Sequence, residues 1–444
     1  MPSRSRPPTP PAAAANAPCC AIDFGTSNSA VALPGPAGVR LVVLEGGQPT
    51  MPTAVFYQAD GLAHGAEPPR LYGRAAVAAY VEGQDGRLMR SMKSILGSAL
   101  LEQRTDVGGG RAVRYGDVIT GYLRHLKKLA DAEAGASITR AVLGRPVFFV
   151  DDEPERDRQA ASALADAARA VGFQELHFQY EPIAAAFAHE ATVQAEQLVL
   201  VADIGGGTSD FSLVRVGPGR RERLDRGDDI LANHGVHIAG TDFDRRVALA
   251  AILPLLGYGS LGPARAGEPA RELPSSIFYD LATWHLINTV YAPARLAEWR
   301  GMRSWYADPQ QHRRLMTVLE ERLGHALAGA AEQAKIDVAL HGHAAIDLDL
   351  VEQGLAATLD AGGAARALQT DQARIVDAAH ETLRQAGVPA AAVQAVFFTG
   401  GSTGLTSLVD GIAAVFPGAT AVRGDRFASV AQGLGLHAAR VFSR

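Results

Sequence analysis

Cysteine is almost missing from this chain: there are two, Cys19 and Cys20, and they are neighbours. Adjacent residues on a strand point to opposite faces, so no structural disulfide is expected between them. Reduced, buried thiols suit a reducing compartment, and the expected location is the cytoplasm. No apolar run nears the roughly 20 residues that span a bilayer, so no membrane-crossing helix is expected. A basic excess is lacking too. With 42 basic and 47 acidic residues the formal charge is −5, and neither a nucleic-acid partner nor an anionic membrane surface is expected. The sequence has no G-x-x-x-x-G-K-[ST] loop, no G-x-G-x-x-G behind the first strand and no Cys/His set at zinc spacing. Gly108 to Gly110 lies among charged residues with no strand before it and reads as a loop tip.

What is present is an ordinary globular composition, 47% hydrophobic and 20% charged, over 444 residues. Single cores stop growing near roughly 250–300 residues, so two or more are expected. Residues 1–18, rich in Pro and Ala, have no continuous apolar segment and read as a disordered leader, not a signal peptide. Cys19 to Leu33 and Val39 to Leu44 read as strands around a polar turn. Val118 to Glu133 and Asp151 to Val171 read as helices, with Ala141 to Val150 a buried strand between them. Leu198 to Val216 repeats the opening: apolar strand, Asp, Gly-rich turn with a Thr-Ser pair, second strand. This is an internal repeat on the scale of domains. Gln372 to Ala386 reads as a helix and Val393 to Phe398 as a strand. Between about 253 and 329 lie all three tryptophans (Trp284, Trp299, Trp305) with Phe278, Tyr279, Tyr291 and Tyr306. These aromatics either form the core of a helical insert or present a partner-binding surface.

Three glycine turns carry the chemistry. Binding a polyphosphate needs several backbone N–H groups converging on oxygens, and glycine lets the backbone come close. Thr and Ser add hydroxyl donors, and a carboxylate nearby can hold a hydrated Mg²⁺. Asp23-Phe24-Gly25-Thr26-Ser27 and Asp203-Ile204-Gly205-Gly206-Gly207-Thr208 each supply that set. The third turn, Gly400 to Gly404, follows a strand and precedes a helix, so it can put amides near a ligand. It also matches the G-x-S-x-G nucleophile elbow of hydrolases. That reading needs an acid and then a His after Ser402, and only His437 follows.

In chain order, AIDFGTSNSAVAL, LMRSMKSILGS, GRPVFF, QYEPIAAAFAHE, VADIGGGTSDFSL, HIAGTDFDRR, AAEQAKIDVA and FFTGGSTGLTSLVDGI resemble motifs of the actin, sugar-kinase and heat-shock-chaperone superfamily. Within it they are most similar to the DnaK-type, heat shock protein 70 chaperones, and the length and insert look like the YegD-like short branch. The resemblance implies an α/β, two-lobed actin-like ATPase fold: duplicated mixed sheets with flanking helices, and a helical, aromatic-rich insert in the second lobe. It places the first lobe at 19–196, with a small subdomain near 46–115. The second lobe would be 197–422, with a small subdomain and insert near 237–374, and 423–444 would be a C-terminal helix returning to the first lobe.

The implied ligands are ATP or ADP with Mg²⁺. Asp23 and Asp203 would bind the metal through water. Gly25, Thr26, Ser27 and Asn28, with Gly205, Gly206, Gly207 and Thr208, would cradle the phosphates. Lys93 would offset charge on the transferred phosphoryl, and Glu181, Asp203 and Asp210 would orient the attacking water. Pro146 and Pro182 would mark an interlobe switch. Glu332, Lys335, Gly400, Gly401 and Ser402 would line the adenosine side. There the family's stacking arginines and its serine are replaced by Ile336, Ala339 and Gly404, which weakens the expected grip on adenine. The chain stops at Arg444, and no peptide-binding domain is expected. Three readings follow: a weak Mg²⁺-dependent ATPase of chaperone type, a non-enzymatic nucleotide-gated binding module, or a sugar-kinase or exopolyphosphatase relative. The insert is the expected site for a protein partner.

Overall fold

The computed structural model describes residues 18–150, 153–264, 270–424 and 428–443. The expected leader lies outside the described residues apart from Pro18. Strand formation begins with Cys19–Phe24, whose Cys20, Ala21, Ile22 and Phe24 are all buried. A three-residue turn, Gly25 to Ser27, returns the chain antiparallel as Asn28–Gly35, pairing Asp23 with Ala30 and Phe24 with Ser29. The first sheet runs Glu175–Tyr180, Arg140–Arg145, Cys19–Phe24, Asn28–Gly35, Gly38–Leu41, and the short strand Thr50–Pro52 also pairs with Asn28–Gly35.

A second sheet repeats this order: Thr420–Arg423, Ala395–Thr399, Gln197–Ile204, Ser209–Val216, Ile230–Val236. In both sheets the first two pairings are parallel and the next two antiparallel. The fold is therefore the α/β, two-lobed actin-like ATPase fold, with the internal repeat realised as two sheets of one topology. The hairpins align on Asp23 and Asp203, which corrects one detail of the sequence comparison. Thr26 and Ser27 sit at the turn positions of Gly206 and Gly207, whereas Ser209 already belongs to a strand and is buried.

Helices Glu181–Glu190 and Ser429–Phe442 pack together between the sheets. Their core takes Ala21, Ala32 and Val142 from one sheet and Val199, Val201 and Phe397 from the other. The crossing is at backbone distance, since a Cβ on Gly433 would stand 1.9 Å from the Ala184 carbonyl oxygen. Each lobe also has a core of its own, and two more belong to a small sheet and to the insert. A small sheet, Ala54–Gln58 flanked by Arg70–Tyr72 and Gly86–Arg90, packs on helix Gly73–Val81. The insert is a series of short α- and 3₁₀-helices between Ser276 and Glu320, and it shares one core with helix Gly324–His341.

Some boundaries differ from those expected. The strand starting near Ala141 ends at Arg145 and does not reach Val150. Pro146 has no N–H to continue the ladder, and Phe148 is exposed. The next helix is Pro154–Ala170, with proline at a position where a missing N–H costs nothing; Asp151 and Asp152 lie outside the described residues. The helix expected from Gln372 starts at Ala361, because the Asp360 side chain accepts from the Gly363 amide at 2.6 Å. Among the described residues no helix is long and apolar enough to cross a membrane.

Candidate functional site

The two hairpin turns face each other. A Cβ on Gly206 would stand 2.6 Å from the Ser27 hydroxyl and 3.3 Å from Ser27 Cβ, so the two loops are close neighbours here. Each turn is braced from behind. The Ser27 carbonyl accepts from the Thr53 amide at 2.9 Å. On the other side, the Gly205 carbonyl accepts from the Gly240 amide at 3.2 Å and the Gly206 carbonyl from the Thr241 amide at 2.8 Å. The Thr241 hydroxyl donates to the same Gly206 oxygen at 2.8 Å. The third turn closes on the second: Ser402 Oγ donates to the Gly205 carbonyl at 2.8 Å. Gly400 has φ of +88°, and a Cβ there would meet the Ile204 carbonyl oxygen at 2.3 Å and Asp203 Oδ1 at 2.7 Å. Left-handed backbone and close approach both demand glycine at this position.

Where the loops meet lies a cluster of charge. Lys93 Nζ donates to Glu181 Oε1 at 2.5 Å, with side-chain exposures of 9% and 14%. Glu181 opens its helix directly after Tyr180, with Pro182 behind it. Lys93 sits in the 3₁₀-helix Met92–Ile95, entered through Ser91 at φ 56°. Burial pushes the Asp23 carboxyl up to about 8, helped by Glu181 and Asp203 and opposed by Lys93. Asp203 is raised to about 7, by burial first, then by Asp210 and Glu181. Asp210 is its cross-strand partner. Burial alone would lower the Lys93 ammonium, but Glu181 and Asp23 outweigh it, and its pKa lies above the ordinary value.

Two carboxylates that burial and repulsion hold in favour of protonation form a place where a cation is welcome. Among the described residues no three acidic, His or Cys side chains converge tightly enough to ligate an ion directly. Asp23 and Asp203 fit a hydrated Mg²⁺: they would hold it through its waters, and the ion would supply positive charge to phosphate oxygens.

The Hsp70 protein family model matches residues 19–251, just over half of the chain. The match takes in both hairpins, Lys93, Glu181 and the Gly240–Val247 helix that braces the second turn. The chain belongs to the Hsp70 family. Members of this family bind ATP or ADP, typically with Mg²⁺, and have chaperone-like functions.

The Hsp70 motifs are not all brought to one point. Lys335 Nζ pairs with Asp244 at 2.6 Å and lies 3.4 Å from the Gly240 carbonyl, beside the second turn. Burial raises Asp244 to about 6, with Lys335 opposing. Glu332, by contrast, is exposed, and its charge acts on Arg90 of the small sheet. Ile336 is exposed and Ala339 packs partly into the second lobe's core. The nucleophile-elbow reading is excluded, because the Ser402 hydroxyl is committed to Gly205. His437 bonds Gln179 and stacks on Phe187 in the interlobe core.

Sequence reasoning missed a contact between the lobes. The Arg90 guanidinium lies 4.3 Å from the centre of the Trp284 ring, and Tyr80 packs on Trp284 at 5.0 Å and on His325 at 4.8 Å. His325 in turn meets Trp284 at 5.1 Å, and its Nε2 donates to Asn288 Oδ1 at 3.1 Å. This clasp joins the small sheet of the first lobe to the insert of the second. The three tryptophans therefore divide: Trp299 is core at 1% exposure, Trp284 is in the clasp, and Trp305 is 50% exposed. Only the clustering of aromatics with Arg90 and Tyr80 could have signalled it, and those residues lie far away in sequence.

Proposed function

We propose that the cleft binds ATP with Mg²⁺ and hydrolyses it slowly to ADP and phosphate. The observation that carries this reading is the part-buried Lys93–Glu181 pair, set against Asp23 and Asp203 at the meeting point of two glycine turns. The Gly25–Asn28 and Gly205–Thr208 turns hold the β- and γ-phosphates through backbone amides and hydroxyls. Mg²⁺, when bound, neutralises phosphate charge; Asp23 and Asp203 hold its water shell. Lys93 faces the charge that develops on the transferred phosphoryl, while Glu181, Asp203 and Asp210 orient the attacking water. Glu332, Lys335 and the Gly400–Ser402 turn form the adenosine side. With Ile336, Ala339 and Gly404 there, the phosphates provide most of the affinity.

In this reading 19–196 and 197–422 are the two lobes, and residues from 423 on return to the first. A protein partner or client docks on the insert, where Tyr279 and Trp305 are exposed. The free cysteines favour a reducing, cytoplasmic setting, and the aromatic insert favours the YegD-like branch. A second reading, nucleotide-gated binding without useful hydrolysis, is supported by the clasp, which gives lobe closure a contact to make or break.

Equilibrium ATP binding with and without Mg²⁺, for wild type and Asp203→Ala, tests the first step. Binding that needs Mg²⁺ and weakens by about tenfold or more in the variant is expected. Equal binding by both proteins would remove Asp203 from the site.

A further inference from the structure

Lys93 and Glu181 come from distant segments, and a contact of 2.5 Å between them needs both segments fixed. The Arg145 side chain lies beneath one of these. Arg145 ends its strand and is the register partner of Tyr180, the residue before Glu181. Its guanidinium lies between two rings, 5.2 Å from the centre of Tyr180 and 5.4 Å from that of Phe149. Nε donates to the Pro146 carbonyl at 3.1 Å, and Nη2 to the Val147 carbonyl at 3.2 Å and to Asp157 Oδ2 at 2.8 Å. Asp157 returns a second bond, accepting from the Phe149 amide through Oδ1 at 2.6 Å. Both side chains are largely buried, at 17% and 13% exposure.

The neighbouring Arg156 supports the other segment. Its Nε donates to the Gly97 carbonyl at 2.9 Å, four residues beyond Lys93. Gly97 itself has φ of +75°, and a Cβ there would stand 2.8 Å from Val150 Cγ2 and 2.9 Å from the Arg156 carbonyl. The first turn of helix Pro154–Ala170 thus grips the Lys93 segment through Arg156 and the Glu181 segment through Asp157 and Arg145.

We propose that Arg145 and Asp157 are positioning residues for ATP hydrolysis: they hold Glu181 in register with Lys93 without touching the nucleotide. The proposal rests on the ATPase reading above. A planar fork that makes several directed bonds and stacks between rings is not replaced by a lysine. Placement errors of about 1 Å cost catalysis far more than they cost binding.

The test compares wild type, Arg145→Lys, Asp157→Asn and the double variant. Single-turnover ATP hydrolysis, ATP affinity and thermal melting are measured for each. The expected result is hydrolysis slowed by about tenfold or more in each single variant, with affinity changed less than about threefold. The double variant should be no slower than the worse single one, because both substitutions break one coupled unit. Variants that hydrolyse ATP at the wild-type rate would overturn the proposal and leave the ATPase reading standing. So would variants whose affinity and melting temperature fall together with the rate, since the pair would then only stabilise the fold. Wild type that turns over no ATP would overturn the ATPase reading and this proposal with it.

Discussion

Lys93 and Glu181 are 88 residues apart in the chain and 2.5 Å apart in space, in the floor of the cleft. A part-buried ion pair of this kind is a poor investment for stability alone. Its position against Asp23 and Asp203 gives it a chemical purpose instead. Glu181→Gln keeps the shape and removes the charge. It should slow ATP turnover by about 10²-fold and cost about 1–3 kcal/mol of stability. Single-turnover kinetics and thermal melting check both values. A variant with full turnover would remove Glu181 from the mechanism.

Asp23 and Asp203 make the free protein's stability depend on pH. In the unfolded chain an aspartate titrates near ~3.9, whereas in the fold these two lie at about 8 and about 7. The folded state therefore holds protons that the unfolded state has lost. The stability this contributes is fully present below about pH 4 and is lost as pH rises through 7 and 8. Between pH 9 and 6 the nucleotide-free protein should melt higher on acidification, and Asp23→Asn should flatten that slope. Binding of Mg²⁺ with ATP near pH 7 should release protons. Calorimetry in buffers of different ionisation enthalpy measures that release, and buffer-independent heats would contradict the assignment.

The clasp predicts a rate. Trp284→Ala removes a cation–π contact worth about 0.5–2 kcal/mol and ring contacts of about 0.5–1.5 kcal/mol. If opening the lobes must break these contacts, nucleotide should leave about tenfold faster from the variant. Stopped-flow release of a fluorescent nucleotide measures this, and an unchanged rate would mean the clasp does not gate exit.

Two glycines separate fold from ligand. At Gly207 an added Cβ would meet nothing within 4 Å, whereas at Gly400 it would strike the Ile204 carbonyl oxygen at 2.3 Å. Gly207→Ala should leave melting unchanged and weaken ATP binding, because the methyl occupies the phosphate's approach. Gly400→Ala should destabilise the protein by several kcal/mol, on the order of 3, through strain and collision. Melting and ATP titration of the two variants give this contrast. The account would be wrong about the second turn if Gly207→Ala bound ATP like wild type.

The hairpins were legible because their pattern is local: apolar strand, Asp, glycine turn, apolar strand, twice over. Lys93 was legible only through its resemblance to a motif, since its segment shows no apolar periodicity and a surface lysine looks the same. The extent of strand Arg140–Arg145 was misread because Pro146 ends the ladder while Val147, Phe148 and Phe149 prolong the apolar run. The early start of helix Ala361–Ala386 was missed because Gly362 and Gly363 look like loop, and the Asp360 cap overrides them. The Arg90–Trp284 and Arg145–Asp157 contacts depend on how separate segments pack. Nothing in either segment's own pattern specifies its partner.

The most direct test of the central claim is ATP turnover by wild type and Lys93→Ala, with ATP affinity measured on the same preparations. Wild type should hydrolyse ATP slowly and only with Mg²⁺, and Lys93→Ala should be slower by about 10²-fold or more, with affinity largely kept. Wild type that binds no nucleotide, or a Lys93→Ala protein that hydrolyses ATP as fast as wild type, would contradict that claim.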